Sequence, residues 1–262
     1  MEYLVVEKLN SYRNRVAFYA ILVLAMFFGI YAVRFGLEFD KYSIFLLLYD
    51  YISVPLLLLS AVIIDAIAPN RHWYSIGISL NRKLAKQVVA TTLMGAGGIA
   101  LLAVVAVVSG ASGYTMQCNT DGMVANTIWL INAAVLEELV FRGYVFQNLC
   151  QRFSSNLQVA VILGVSSVLF SVSHFFARSF DLLFFINVLL AGVLLGLMYI
   201  RSSCLWLSIC FHITWNWTML VFFEQIIQIK YDYEGSIGCS IILIFLIFVI
   251  TLFPKNNINE ST

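Results

Sequence analysis

Charge is what this chain has least of. Only 11% of its 262 residues are charged and 61% are hydrophobic, where a soluble domain carries about a quarter charged and about half apolar. A soluble core cannot absorb that excess. Basic excess is missing too: the formal net charge is +1, and the aromatic residues lie inside apolar blocks instead of alternating with Lys and Arg. That excludes nucleic acid as a partner. The five cysteines, Cys118, Cys150, Cys204, Cys210 and Cys239, form no CxxC pair and their number is odd, so they read as small apolar residues. No signal-peptide pattern opens the chain. Residues 1–15 are polar and no small-residue cleavage pattern follows the first apolar block, so the first span is expected to stay in the protein. No internal repeat is present and no linker divides the chain, which implies one integral membrane domain over residues 1–262.

What the chain does have is long apolar blocks, each near the ~20 residues that cross ~30 Å of hydrocarbon. Eight transmembrane helices are expected: Val16–Leu37, Ile44–Ile64, Gln87–Val108, Thr127–Phe146, Gln158–Phe176, Leu182–Ile200, Ser203–Phe223 and Ile237–Phe253. The fold class is therefore all-α, a polytopic bundle. Arg71 to Lys86, with Trp73 and Ile76 among basic residues, reads as an interfacial segment. Gly192 and Gly196 form a GxxxG pair that lets another helix approach closely. Basic residues are retained on the cytoplasmic face. With the N-terminus inside, ten are inside (Lys8, Arg13, Arg15, Arg71, Arg82, Lys83, Lys86, Arg152, Arg201, Lys255) and four outside (Arg34, Lys41, Arg178, Lys230). Both termini are expected in the cytoplasm of a multi-pass cell-membrane protein, and the loop Ser109–Asn126, which has no basic residue, outside.

The fourth span, in AAVLEELVFRGYVF, carries Glu137, Glu138 and Arg142. A charge at a helix centre costs roughly 2.5–3.5 kcal/mol on insertion scales, so these three need partners. Glu138 and Arg142 stand one turn apart in the favourable order and are expected to pair. Glu137 lies about 100° round the helix with Phe141 one turn on, so its own helix offers it no partner. Two of the three histidines supply candidates elsewhere: His174 near the end of the fifth span, and His212 in the seventh, with Asn216 one turn later. Either histidine alone reads as a packing residue, but a buried Glu137 makes one shared polar site the economical explanation. His72, beside Arg71 and Trp73, reads as surface.

A carboxylate out of water holds a proton more readily, so it can take one from water, and an imidazole can return it to a leaving amine. A second imidazole and an amide can donate to a developing oxyanion. Glu137, His174 and His212 would equally make a three-ligand zinc set with a fourth position for water. Residue chemistry alone leaves the metal-bound and metal-free versions open. Neither HExxH nor GxSxG occurs, and no serine or cysteine stands out as a nucleophile.

In these residues the chain resembles the CAAX prenyl protease and bacteriocin-processing (CPBP, or Abi) family of intramembrane proteases. The family's EExxxR matches Glu137, Glu138 and Arg142; its FxxxH matches Phe170 and His174; its HxxxN matches His212 and Asn216. The similarity covers roughly Thr127 to Phe223, the motif-bearing core. The resemblance implies an eight-helix bundle with a cavity between the fourth, fifth and seventh helices that opens laterally or to the cytosol. It also implies that Glu137 and His174 activate water for peptide hydrolysis, that His212 and Asn216 stabilise the oxyanion, and that Glu138 and Arg142 support the site. The substrate would be a peptide or lipidated protein reached within the lipid bilayer. A non-proteolytic bacteriocin self-immunity or scaffold protein is the alternative that the same resemblance covers. A proton-coupled transporter using Asp50 as well would need paired broken helices in repeated halves, which are absent from the sequence. One mismatch arises from counting rise per residue: Glu137 and His212 fall near mid-span, whereas His174 falls about 24 Å along its helix.

Overall fold

The structure, a computed structural model, describes residues 24–25, 27–29, 77, 84–108, 123–152, 155–176, 178–225, 232 and 234–252. The first two expected spans, apart from the helical residues 24–25 and 27–29, lie outside the described residues, as does most of the expected interfacial segment. Among the described residues there are seven α-helices and no strands. Helix α1 is Leu84–Val108. Helix α2, Met123–Glu138, continues unbroken into a π-helical stretch, Leu139–Phe146, and the short α3, Gln147–Arg152. Helix α4, Asn156–Ser173, ends in a 3-10 turn, His174–Phe176. Helix α5 is Leu182–Ser202. Helix α6, Leu205–Met219, runs into a second π-helical stretch, Leu220–Gln225, and α7 is Ile237–Leu252. Five continuous stretches are long and apolar enough to span a bilayer, and α7 is a shorter apolar helix.

The helices are apolar all round because one face meets protein and the other meets lipid. In α4, Val161, Val165, Val168 and Val172 form an exposed stripe, while Ile162, Ser166, Phe170 and Ser173 are buried. Small residues on the buried stripes let backbones approach. A Cβ on Gly192 would stand 3.0 Å from Ser167 Cβ, and one on Gly196 would strike Leu163 Cδ1. The GxxxG pair thus seats α5 on α4. Capping fixes the helix starts. Ser155 and Gln158 form a reciprocal capping box on α4, and the Asp181 carboxylate accepts from the Phe184 N–H at 2.8 Å on α5. Ser203, at φ 53°, turns the chain between α5 and α6.

Contacts set the helix directions. Gly192 and Gly196 meet Ser167 and Leu163 in descending order, so α4 and α5 are antiparallel. Arg142 bonds Gly192 and Phe146 packs on Tyr199, so the end of α2 runs parallel to α5. Gly95 faces the Phe211 carbonyl and Gly98 the Trp215 ring, so α1 and α6 are parallel. Asn187 bonds Ser236 and Ser240, which aligns the starts of α5 and α7. One end of the bundle therefore collects the starts of α1, α4 and α6 and the ends of α3 and α5. The other collects the end of α4 and the starts of α5 and α7.

Several expected bounds change. Lys86 belongs to α1, which begins at Leu84, and not to a surface segment. The fourth span begins at Met123, inside the segment expected to be a loop, and it is π-helical from Leu139 onward, where a plain α-helix was expected. The fifth span ends as an α-helix at Ser173, and Leu205, not Ser203, begins the seventh because Ser203 takes the left-handed conformation.

Candidate functional site

The buried charges of α2 are held from three sides. Glu138 and Arg142 are 0% and 1% exposed. Arg142 Nη1 donates to Glu138 Oε1 at 2.7 Å, and Nη2 donates to the Gly192 carbonyl at 2.9 Å. Its guanidinium also lies over the Phe170 ring, 4.5 Å from the centroid. The i,i+4 pair is present as the spacing predicted, but Arg142 does more than neutralise a neighbour. It ties α2 to α5, where glycine leaves the carbonyl accessible, and to α4 through a cation–π contact.

Glu138 Oε1 also lies 3.1 Å from His212 Nδ1. A carboxylate only accepts, so Nδ1–H is the donor, and Nε2 faces the other glutamate with Glu137 Oε2 3.8 Å away. His212 thus bridges the two adjacent carboxylates, and α6 brings a histidine to Glu137. The side chains of Glu137, Glu138, Arg142 and His212 are all 7% or less exposed.

His174 enters through Phe170. The two rings are 4.8 Å apart, and Phe170 stands 5.8 Å from the His212 ring. His174 Nδ1 lies 2.9 Å from the Phe170 carbonyl, one turn back on its own helix. That bond makes Nδ1 the donor and leaves Nε2 as the ring's acceptor. The Phe170 ring, 4.8 Å from the His174 ring and 5.8 Å from the His212 ring, brings the two histidines to one site despite the mismatch in counted helix height.

His174, His212 and Asn216 share one cavity. Its walls include Phe184, Asn187 and Ala191 of α5, Trp215 of α6 and Cys239 of α7, and Glu234 also lines it. The cavity lies among α4, α5, α6 and α7. Among the described residues no α2 side chain lines it. Glu137, 5% exposed, reaches it through the imidazole of His212. Among the described residues no three His, Cys, Asp or Glu side chains are grouped to hold a metal. His174 Nδ1 is on a carbonyl and His212 Nδ1 is on Glu138.

The sequence reading missed the outer part of this cavity. Asn187, 3% exposed, donates to the carbonyls of Glu234 and Ser236 at 2.6 and 2.9 Å. Arg178 clamps the same turn, with Nη1 2.9 Å from Glu234 Oε2 and Nη2 2.8 Å from Asp232 Oδ2, and its guanidinium covers Phe184 at 4.8 Å. An intramembrane asparagine was the available signal for Asn187. Nothing in the spacing links Arg178 to residues more than fifty positions away.

No curated protein matches the chain. Residues 120–218, which include every residue of the three motifs, match the family model described as type II CAAX prenyl endopeptidase Rce1-like, within the family of membrane endopeptidases that the motifs resemble.

Proposed function

We propose that this chain is an intramembrane endopeptidase that hydrolyses a peptide bond with water activated at Glu137 and His174. The observation that carries this reading is His212, held between Glu137 and Glu138 on the wall of a cavity it shares with His174 and Asn216. The match over residues 120–218 supports the same class of reaction. Water loses a proton to the carboxylate as its oxygen attacks the peptide carbonyl carbon. His212, with Nδ1–H committed to Glu138, offers Nε2–H when protonated, and with the Asn216 amide it donates to the oxyanion of the tetrahedral intermediate. The proton held by the base then passes to the leaving nitrogen as the C–N bond breaks, yielding a carboxylic acid and an amine.

Glu137→Gln keeps the size of the side chain and removes its basicity. A purified peptidase assay should show a rate loss of ~10² to 10⁴, with the protein still inserted and accumulated. Ordinary activity in that variant would remove Glu137 from the mechanism. Dialysis of the active protein against a chelator provides the second arm. Retained activity supports the carboxylate-driven route, and a loss reversed by added zinc would show that a metal activates the water.

A further inference from the structure

The two ends of the bundle differ in charge, and the cavity belongs to one of them. At the end that collects the starts of α1 and α4 and the ends of α3 and α5, the described helices carry Lys86, Arg152 and Arg201. In sequence, Arg82 and Lys83 immediately precede α1, and Lys255 follows α7. At the opposite end the basic residues flanking the helices are Arg178 and Lys230, and Arg178 is held by Asp232 and Glu234. Six basic residues against two mark the first end as cytoplasmic. The cavity lies toward the second. Its lining begins at Glu234, 35% exposed, and at Phe184 and Asn187 in the first two turns of α5, and runs inward to His212.

We propose that the cavity is loaded from the non-cytoplasmic side. Its substrate is then a peptide segment displayed at the outer face of the membrane, not a protein tail lipidated in the cytosol. The word substrate rests on the endopeptidase reading, but the side of access does not. The rim chemistry agrees with that access, because Glu234, which lines the cavity whose inner wall carries His174 and His212, belongs to a charged clamp with Arg178 and Asp232 whose side chains are 34–58% exposed.

Single cysteines with native cysteines retained, resolved by mass spectrometry of peptides, test the side of access. Phe180→Cys lies at the exposed rim, Asn156→Cys at the exposed start of α4, and Ala191→Cys on the cavity wall. Intact cells are treated with a small, charged, membrane-impermeant methanethiosulfonate, then permeabilised and treated again. Full labelling of Phe180→Cys and Ala191→Cys in intact cells, with Asn156→Cys labelled only after permeabilisation, is expected. The reverse pattern overturns the orientation. Labelling of Phe180→Cys from outside but of Ala191→Cys only after permeabilisation overturns access to the cavity from that side. Labelling needs no catalysis, so a protein that labels as expected yet cleaves no peptide retires the endopeptidase reading and leaves the orientation standing.

Discussion

Arg142 is the residue on which stability and chemistry meet. Removing one partner of a buried ion pair leaves an uncompensated charge, which costs ~3–5 kcal/mol. Arg142→Ala should therefore lower the melting temperature and the accumulated amount of detergent-extracted protein, and Glu138→Ala should do the same. Removing both charges, in Glu138→Gln with Arg142→Gln, should recover part of the loss relative to the worse single change. The recovery is partial because the Gly192 carbonyl and the Phe170 face lose their cation. Activity in the double variant should stay low, since His212 Nδ1 no longer faces a carboxylate. A double variant no more stable than the worse single one would show that the pair is not what stabilises this part of the bundle.

At the scale of the helices, glycines decide how the site is assembled. A Cβ on Gly192 would meet Ser167 at 3.0 Å to Cβ and 3.1 Å to Cα, so the backbone of α4 would have to move. A Cβ on Gly196 meets only the tip of Leu163, which can rotate away. Gly192→Ala should cost on the order of 1–3 kcal/mol, as overpacking does, and should reduce peptidase activity because the Gly192 carbonyl is the anchor of Arg142. Gly196→Ala should be milder on both readouts, and equal losses by thermal unfolding would refute this account of the interface. The π-helical stretches share a placement. Each directly follows the part of a helix that bears site residues, Glu137 and Glu138 in one case, His212 and Asn216 in the other. Such stretches recur at functional sites.

Across the whole molecule, the Arg178 clamp joins the turn after α4 to the turn before α7. Burial alone would raise the carboxyl of Asp232, but the hydrogen bond from Arg178, the Gly235 N–H and the guanidinium charge outweigh it and hold it below the usual aspartate range. A depressed carboxylate stabilises the fold above its unfolded pKa and loses that contribution as pH falls through the folded value. Asp232 is 58% exposed, so the contribution is on the order of 0.2–1 kcal/mol. Asp232→Asn should therefore melt slightly below wild type at neutral pH, with the difference shrinking at acid pH below about 4. A difference that does not change with pH would mean that the charge on Asp232 contributes nothing to the clamp.

Composition and run length by themselves determined that the chain is a helical membrane protein, because burying polar backbone in lipid leaves helices as the outcome for long apolar runs. The i,i+4 spacing likewise determined the Glu138–Arg142 pair, since a single helix sets that distance. Sequence could not decide which helix supplies the partner of Glu137, because His212 reaches it through a contact between residues more than seventy positions apart. Nor could it decide that Phe170 stands between the two histidines, or that Arg178 meets Asp232 and Glu234. Those depend on how apolar helices slide and tilt against one another, and small residues such as Gly192 and Ser167 settle that only when the two surfaces are brought face to face.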